Sequence, residues 1–93
     1  MYHYVYMLIS VNRIKLITYV GYSVNPYKRL KLHNQGKGAK FTKGRKWKII
    51  FKKRLNNKSE ALKFEYFLKK NIKIRSNIKN KYINEHSIKW QYS

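Results

Sequence analysis

The sequence of 93 residues contains no cysteine and only three acidic residues. The absence of cysteine excludes disulfide bonds, thiolate nucleophiles and cysteine-type zinc sites. It also fits a reducing compartment, so we expect a cytoplasmic location. The N-terminal segment MYHYVYMLIS lacks the basic start of a signal peptide, and its apolar run is too short to span a membrane. We therefore interpret this segment as a core strand.

Positive charge is the strongest feature of the composition. Lysine and arginine together number 23, which gives a formal net charge of +20. Repulsion among these charges weakens the compact state, and a polyanionic partner would relieve it. Nucleic acid is the expected partner, because each neutralised phosphate releases counterions. An anionic membrane surface is a weaker alternative, since the sequence has no long amphipathic or lipidated segment.

The length and composition predict one folded domain. The chain is too short for two domains, and its 43% apolar and 16% aromatic content argues against disorder. We assign residues 1–83 to this domain and 84–93 to a C-terminal tail. No internal repeat or low-complexity linker interrupts the sequence.

Residue patterns predict a β-β-α-β-α-α order. HYVYMLISV has strand character and places Tyr2, Tyr4, Tyr6 and Leu8 on one face; a turn at Asn12-Arg13 would join it to a partner strand over residues 16–22. Asn25-Pro26 predicts the start of a helix that ends near Gly36. The remaining segments are predicted as a basic loop (36–45), a third strand (KWKIIFKKRL), a helix capped by Ser59 (SEALKFEYFLKK) and a last helix (72–83). This order indicates an α/β (α+β) sandwich with a three-stranded, mainly antiparallel sheet.

Glu65 is the most informative single residue. At 100° per residue, the predicted second helix places it inside an apolar stripe made by Ala61, Phe64, Leu68 and Ile72. A carboxylate on that side is costly unless it is paired, protonated or bound to a metal ion. A salt bridge to one of the many basic residues explains it structurally, and a metal site explains it functionally. The sequence leaves both explanations open.

Arg29 and His33 lie one helical turn apart and share a helix face. They are either part of a basic helix surface or a pair directed at a phosphate, which arginine can hold bidentately. Tyr6 and Tyr19 are predicted on adjacent strands beside this helix. Most buried tyrosines only pack, but this placement makes them candidates for chemistry as well.

The loop GKGAKFTKGRK does not match the spacing of a nucleotide-binding P-loop, and we expect no small-molecule cofactor. Contact with a DNA backbone is the favoured role for its basic residues, Lys37, Lys40, Lys43, Arg45 and Lys46. Phe41 and Trp47 are candidates for stacking on unpaired bases, although a tryptophan at the start of a strand more often belongs to the core.

Together these residues are similar to the GIY-YIG nuclease family. The resemblance is carried by Tyr4-Val5-Tyr6, Tyr19-Val20-Gly21, Arg29, His33 and Glu65, and it covers roughly residues 2–70. It is greatest to small stand-alone bacterial members and to the nuclease domain of the eukaryotic branched-DNA endonuclease. The sequence departs from the family at Tyr4, where the first motif has glycine, and at Tyr22, where some relatives have lysine; Asn71 is a possible match to a late asparagine.

The resemblance implies a metal-dependent endonuclease that hydrolyses DNA, whether single-stranded, branched or duplex. It implies that Tyr6, with Tyr19 beside it, helps to deprotonate the attacking water, that Arg29 stabilises charge on the phosphate and that His33 positions water or carries a proton. Glu65 would bind one Mg²⁺ (or Mn²⁺) ion. The alternatives are a non-catalytic basic nucleic-acid-binding module, which would gain nothing from an inward carboxylate, and a degenerate nuclease fold retained for protein contacts.

Overall fold

The computed structural model describes residues 1–11 and 15–86. Strand β1 (His3–Val11) forms the centre of a three-stranded sheet, with β2 (Leu16–Ser23) on one side and β3 (Lys48–Leu55) on the other. Both pairings are antiparallel, and the β1–β3 register shifts between Met7 and Leu8. The predicted turn at Asn12-Arg13 and the tail from residue 87 lie outside the described residues.

Three helices cover the sheet: α1 (Pro26–Asn34), α2 (Lys58–Lys70) and α3 (Ile72–Glu85). The order β-β-α-β-α-α and the predicted fold class are therefore confirmed. Helix α1 begins as expected, because Asn25 Oδ1 accepts a hydrogen bond from Lys28 N and Pro26 follows the cap. Glycine lies beyond its end: Gly36 has a φ of 77°, a conformation that favours residues without a side chain.

The predicted cap of α2 was wrong. Asn57, two residues before Ser59, caps the helix by accepting a hydrogen bond from Glu60 N at 2.8 Å. Asparagine caps as well as serine does, so the spacing from Asn57 to Glu60 was an equally good signal for the helix start. Ser59 is exposed within the first helical turn.

The central strand is buried on both sides because helices pack on both faces of the sheet. Val5 and Met7 point to the face of the sheet that is covered by α2 and α3. The residues of these helices that pack in the same cluster include Ala61, Leu68 and Ile74. Tyr6 and Leu8 point to the opposite face.

On that opposite face, Tyr6 and Leu8 form a cluster with Trp47, and Leu30 of α1 packs against it. The side chain of Asn34 joins the end of α1 to the start of β3, because it bonds both the backbone N and the backbone O of Trp47. Trp47 is buried and belongs to the core. Within the described residues, no helix has the length and apolar character needed to cross a membrane.

Candidate active site

The Tyr6 side chain lies across the neighbouring strand because that strand has a glycine opposite it. Tyr6 pairs with Gly21 in the β1–β2 register. A Cβ atom at position 21 would lie 2.5 Å from both Cζ and the hydroxyl of Tyr6. The missing side chain therefore creates the space that the phenol ring occupies.

A chain of hydrogen bonds runs inward from this phenol. The Tyr6 hydroxyl lies 2.9 Å from His33 Nε2, and His33 Nδ1 lies 2.8 Å from Thr42 Oγ1. Thr42 Oγ1 in turn donates to the backbone carbonyl of Ala39 at 3.0 Å. Because the hydroxyl hydrogen of Thr42 is committed to that carbonyl, His33 must donate from Nδ1.

The protonation state of the chain follows from its burial. Burial, followed by the charge of Arg29, lowers the pKa of His33, so the imidazole is neutral near pH 7. A neutral ring with hydrogen on Nδ1 accepts at Nε2, so the Tyr6 hydroxyl donates its proton toward His33. Burial also raises the pKa of Tyr6 and outweighs the opposing effect of Arg29, so this phenol is protonated at rest.

Arg29 lies beside the same phenol and is held by the loop that follows α1. Its Nη2 donates to the carbonyl of Gly38 at 3.0 Å. The guanidinium is close enough to lower the pKa of Tyr6, against the dominant effect of burial. One bond to Gly38 leaves further N–H donors of Arg29 for an anionic ligand.

Tyr19 also packs against the histidine ring. Its ring centroid lies 5.1 Å from that of His33 and 6.1 Å from that of Phe41. Phe41 is 58% exposed, so this predicted candidate for base stacking is accessible. Next to these rings a cleft opens at the edge of β2, lined by Thr18, Tyr19, Val20, Phe41, Lys69 and Arg75.

Glu65 lies near this group on α2. Its side chain is only 18% exposed, and its Oε2 lies 3.4 Å from Lys69 Nζ. Burial is the main cause of the raised pKa of Tyr6, and the negative charge of Glu65 adds a small contribution in the same direction. The structure thus shows both a partly buried carboxylate and the ion pair offered as its structural explanation.

The apolar stripe that suggested this placement was correct only in part. Ala61 and Leu68 are fully buried, but Ile72 is 70% exposed. Helix α2 ends at Lys70 and Ile72 begins α3, capped by Asn71, so the helical wheel could not be extended to position 72. Glu65 itself lies well inside α2 and is unaffected by this break.

The donor set limits the metal ion that the site could hold. Within residues 1–11 and 15–86, no three His, Asp or Glu side chains come together. A lone carboxylate with partial solvent access suits a hard cation that keeps most of its water ligands, as Mg²⁺ does. Glu65 therefore fits Mg²⁺ or Mn²⁺ held by one protein ligand.

The loop after α1 has two roles, of which only one was expected. Lys37, Lys40, Lys43 and Lys46 are exposed and Arg45 is half-buried, so all five are available on or near the surface. The same loop also supports the candidate site through Gly38 and Thr42. A Cβ atom at position 38 would overlap the His33 ring.

Sequence reasoning missed both supporting residues. Thr42 is the one hydroxyl-bearing residue of the basic segment GKGAKFTKGR. A single hydroxyl in such a segment was the signal that could have identified it as a supporting residue. Gly38 gave no such signal, because the sequence alone does not distinguish a glycine needed for close approach of the backbone from any other loop glycine.

Comparison with known proteins identifies the same family that the sequence motifs resemble. The model of the GIY-YIG catalytic domain matches residues 2–82, which extends past the predicted end of the resemblance at residue 70. UPF0213 protein OB0043 of Oceanobacillus iheyensis is 43% identical over 68 residues, covering 72% of this chain and 76% of that protein. UPF0213 protein YazA of Bacillus subtilis is 47% identical over 53 residues, covering 56% of this chain and 54% of YazA.

A solution NMR structure of UPF0213 protein BH0048 from Bacillus halodurans is 32% identical to this chain. The alignment covers 83% of this chain and 80% of that one, with a TM-score of 0.45. The family match covers most of the sequence and includes both tyrosine motifs, Arg29, His33 and Glu65. The chain therefore belongs to the GIY-YIG family of nuclease domains.

Proposed function

We propose that the protein is an endonuclease that hydrolyses phosphodiester bonds in DNA and requires a divalent cation. The observation that carries this proposal is the hydrogen-bond chain from Tyr6 through His33 to Thr42. A buried phenol that donates to a neutral imidazole is arranged to move a proton inward. Membership of the GIY-YIG family supports the assignment to nucleic-acid cleavage.

The proton path explains how a phenol with a raised pKa can act as a base. A free phenolate at Tyr6 would be rare near neutral pH, because burial disfavours its charge. The attacking water passes its proton to the Tyr6 oxygen while the Tyr6 hydroxyl proton moves to His33 Nε2. Thr42 fixes the ring so that Nε2 is the acceptor. The phenol is neutral before and after this transfer.

Cationic groups on one side of the site would stabilise the negative charge of the phosphate. Arg29 is fixed by Gly38 and offers its remaining N–H groups to the oxygens of the phosphate. Glu65 would hold the Mg²⁺ or Mn²⁺ ion, which supplies positive charge for the leaving oxygen when bound. The phosphate also offsets the repulsion between Arg29 and a protonated His33, which favours the proton transfer.

DNA would enter along the edge of β2 and the basic loop. The cleft beside Tyr19 combines the exposed ring of Phe41 with the cationic side chains of Lys69 and Arg75. An exposed aromatic ring next to cationic side chains suits a nucleotide, because the base can stack on the ring while the cations neutralise the phosphate. The loop residues Lys37, Lys40, Lys43, Arg45 and Lys46 would contact neighbouring phosphates.

Cleavage assays on the full chain test the proposal. The substrates are labelled single-stranded, duplex, flapped and branched DNA, each with Mg²⁺, with Mn²⁺ or with chelator. We expect chelator, Arg29→Ala and Glu65→Gln each to lower the cleavage rate by about 100-fold or more, since each removes charge stabilisation of the reacting phosphate. Binding measured in chelator should change far less.

Glu60→Gln is the matched control, because Glu60 is an exposed glutamate in the first turn of the same helix. It should cut at the wild-type rate. Wild-type cutting by Glu65→Gln would contradict the role of this carboxylate. Tight binding of every DNA by the wild type without any cutting would instead support the non-catalytic nucleic-acid-binding module.

A further inference from the structure

Aromatic and cationic side chains alternate at one end of the sheet, on the face that also carries Tyr6. In the β1–β3 register Lys52 lies opposite Tyr6, and Arg54 lies opposite Tyr4. Tyr27, in the first turn of α1, approaches the same end of the sheet through its contact with Lys52. We call this surface the tyrosine–cation strip, and its members are Tyr2, Tyr4, Tyr27, Lys52 and Arg54.

The cations of the strip are held against the rings. Lys52 Nζ lies 4.7 Å from the ring centroid of Tyr27 and 5.4 Å from that of Tyr4, and it is 3.4 Å from the Tyr27 hydroxyl. The guanidinium of Arg54 lies 4.4 Å from the ring centroid of Tyr2. These contacts position the charges without neutralising them, so they remain available to an anion.

Two of the three tyrosines are largely open to solvent, and Tyr4 is half-buried. Tyr2 is 57% exposed and Tyr27 is 62% exposed. No acidic side chain in residues 1–11 and 15–86 competes for the cations here, because Glu60, Glu65 and Glu85 all lie on α2 or α3. Helix α2 packs against the other face of the sheet. The strip is therefore a cationic surface with accessible aromatic faces.

This combination discriminates between forms of nucleic acid. Phosphates are present on every nucleic acid, so Lys52 and Arg54 alone would attract any of them. A tyrosine face can stack on a base only where that base is unpaired, because a duplex keeps its bases stacked inside. The exposed tyrosines therefore add affinity only for an unpaired strand.

We infer that the tyrosine–cation strip binds an unpaired DNA strand that flanks the point of cleavage. The inference rests on the proposed function for its ligand, DNA, and it deepens that function by naming the substrate class: DNA with a single-stranded segment beside the scissile phosphate. Lys52 connects the two regions, since it belongs to the strip and lies opposite Tyr6.

The chain contains a matched control for this surface. Tyr66 on α2 is 64% exposed, and Lys70 Nζ lies 5.4 Å from its ring centroid. This pair has the same chemistry as Tyr27 with Lys52 but belongs to the helix on the other face. A general effect of removing an exposed tyrosine, on folding or on net hydrophobicity, would appear at Tyr66 as well.

Equilibrium binding of the full chain in chelator tests the inference without cleavage. The probes are a labelled oligothymidylate and a labelled duplex of equal length. Tyr27→Ala and Tyr2→Ala should each weaken oligothymidylate binding by about tenfold and leave duplex binding nearly unchanged, because each removes one stacking face. Tyr27→Phe keeps the ring and should bind oligothymidylate like the wild type. Tyr66→Ala should affect neither probe.

Lys52→Gln should weaken both probes and lower the slope of log affinity against log salt by about one, because it removes one phosphate contact. Equal losses for Tyr27→Ala and Tyr66→Ala, or equal losses for both probes, would overturn the strip. If binding depends on the tyrosines but the protein cuts no DNA, the proposed function is wrong and the inference about the strip stands. If the protein cuts single-stranded DNA but its binding does not depend on the tyrosines, the proposed function stands and the inference about the strip is wrong.

Discussion

Gly21 and Gly38 act on the candidate site through the side chains that they lack. Gly21 makes room for the Tyr6 ring, and Gly38 lets the loop backbone lie against His33 while its carbonyl holds Arg29. Neither of these roles depends on a left-handed backbone. They differ in this from Gly36 and Gly44, whose φ angles are 77° and 81°.

This difference gives a prediction for the variant Gly21→Ala. The added Cβ would lie 2.5 Å from the Tyr6 hydroxyl, so the phenol must shift and lose its bond to His33. We expect a loss of stability of about 1–3 kcal/mol from overpacking. We also expect the cleavage rate per folded molecule to fall by at least about tenfold, because a displaced phenol loses part of the roughly 100-fold or greater gain that positioned proton transfer supplies.

Gly44→Ala is the control for this variant. The site around Gly44 is open, but its φ of 81° makes alanine strained by about 1–2 kcal/mol. Thermal unfolding should therefore place both variants below the wild type, while cleavage per folded molecule should fall only for Gly21→Ala. A parallel loss of cleavage in both would mean that general destabilisation, not the position of Tyr6, governs the rate.

At the same scale, the sequence predicted which residues meet but not what aligns them. The alternation of β1 placed Tyr6 on the correct face, and a spacing of four placed His33 one turn from Arg29. The bond from His33 to Thr42 joins residues nine positions apart across a loop without regular period. Such a contact depends on the loop conformation, which no local pattern specifies.

The elements themselves were predicted well because each has a strong local signal. β1 follows the apolar and aromatic run of HYVYMLISV, and α1 follows the Asn25-Pro26 start. The error at a helix boundary was the cap of α2, placed at Ser59 instead of Asn57. The boundary between α2 and α3 was predicted correctly, and only the apolar stripe of α2 was wrongly extended across it to Ile72. The break at Asn71 matters for the site, because it lets Arg75 reach back and donate to the carbonyls of Leu68 and Lys69.

The start of α2 gives a prediction at the scale of the element. Asn57→Ala should lower the free energy of unfolding by about 1 kcal/mol, because it leaves the Glu60 N–H without its capping acceptor. Ser59→Ala should change it by less than about 0.5 kcal/mol, since Ser59 is an exposed residue inside the helix. Denaturant unfolding of both variants measures the difference, and a larger effect at Ser59 would contradict the cap seen here.

On the scale of the whole molecule, the charge is distributed unevenly. All three glutamates lie on α2 and α3. In α1, in the loop after it and in the tyrosine–cation strip, every charged side chain is basic. The face that carries Tyr6 and Arg29 is therefore the more positive side of a protein with a net charge of +20. A polyanion approaching this protein would be drawn toward that side.

The salt dependence of DNA binding tests whether the loop, rather than net charge, makes the phosphate contacts. Replacing Lys37, Lys40, Lys43 and Lys46 with glutamine should lower the slope of log affinity against log salt by about 3 to 4 for duplex DNA. A control variant replaces four other exposed lysines, Lys58, Lys63, Lys70 and Lys73, and has the same net charge. Its slope should change by about one or less, because none of these four lysines belongs to the loop, to the tyrosine–cation strip or to the cleft lined by Lys69 and Arg75. Titrations in chelator at several salt concentrations give both slopes, and equal reductions would show that DNA responds to total charge without preferring the loop.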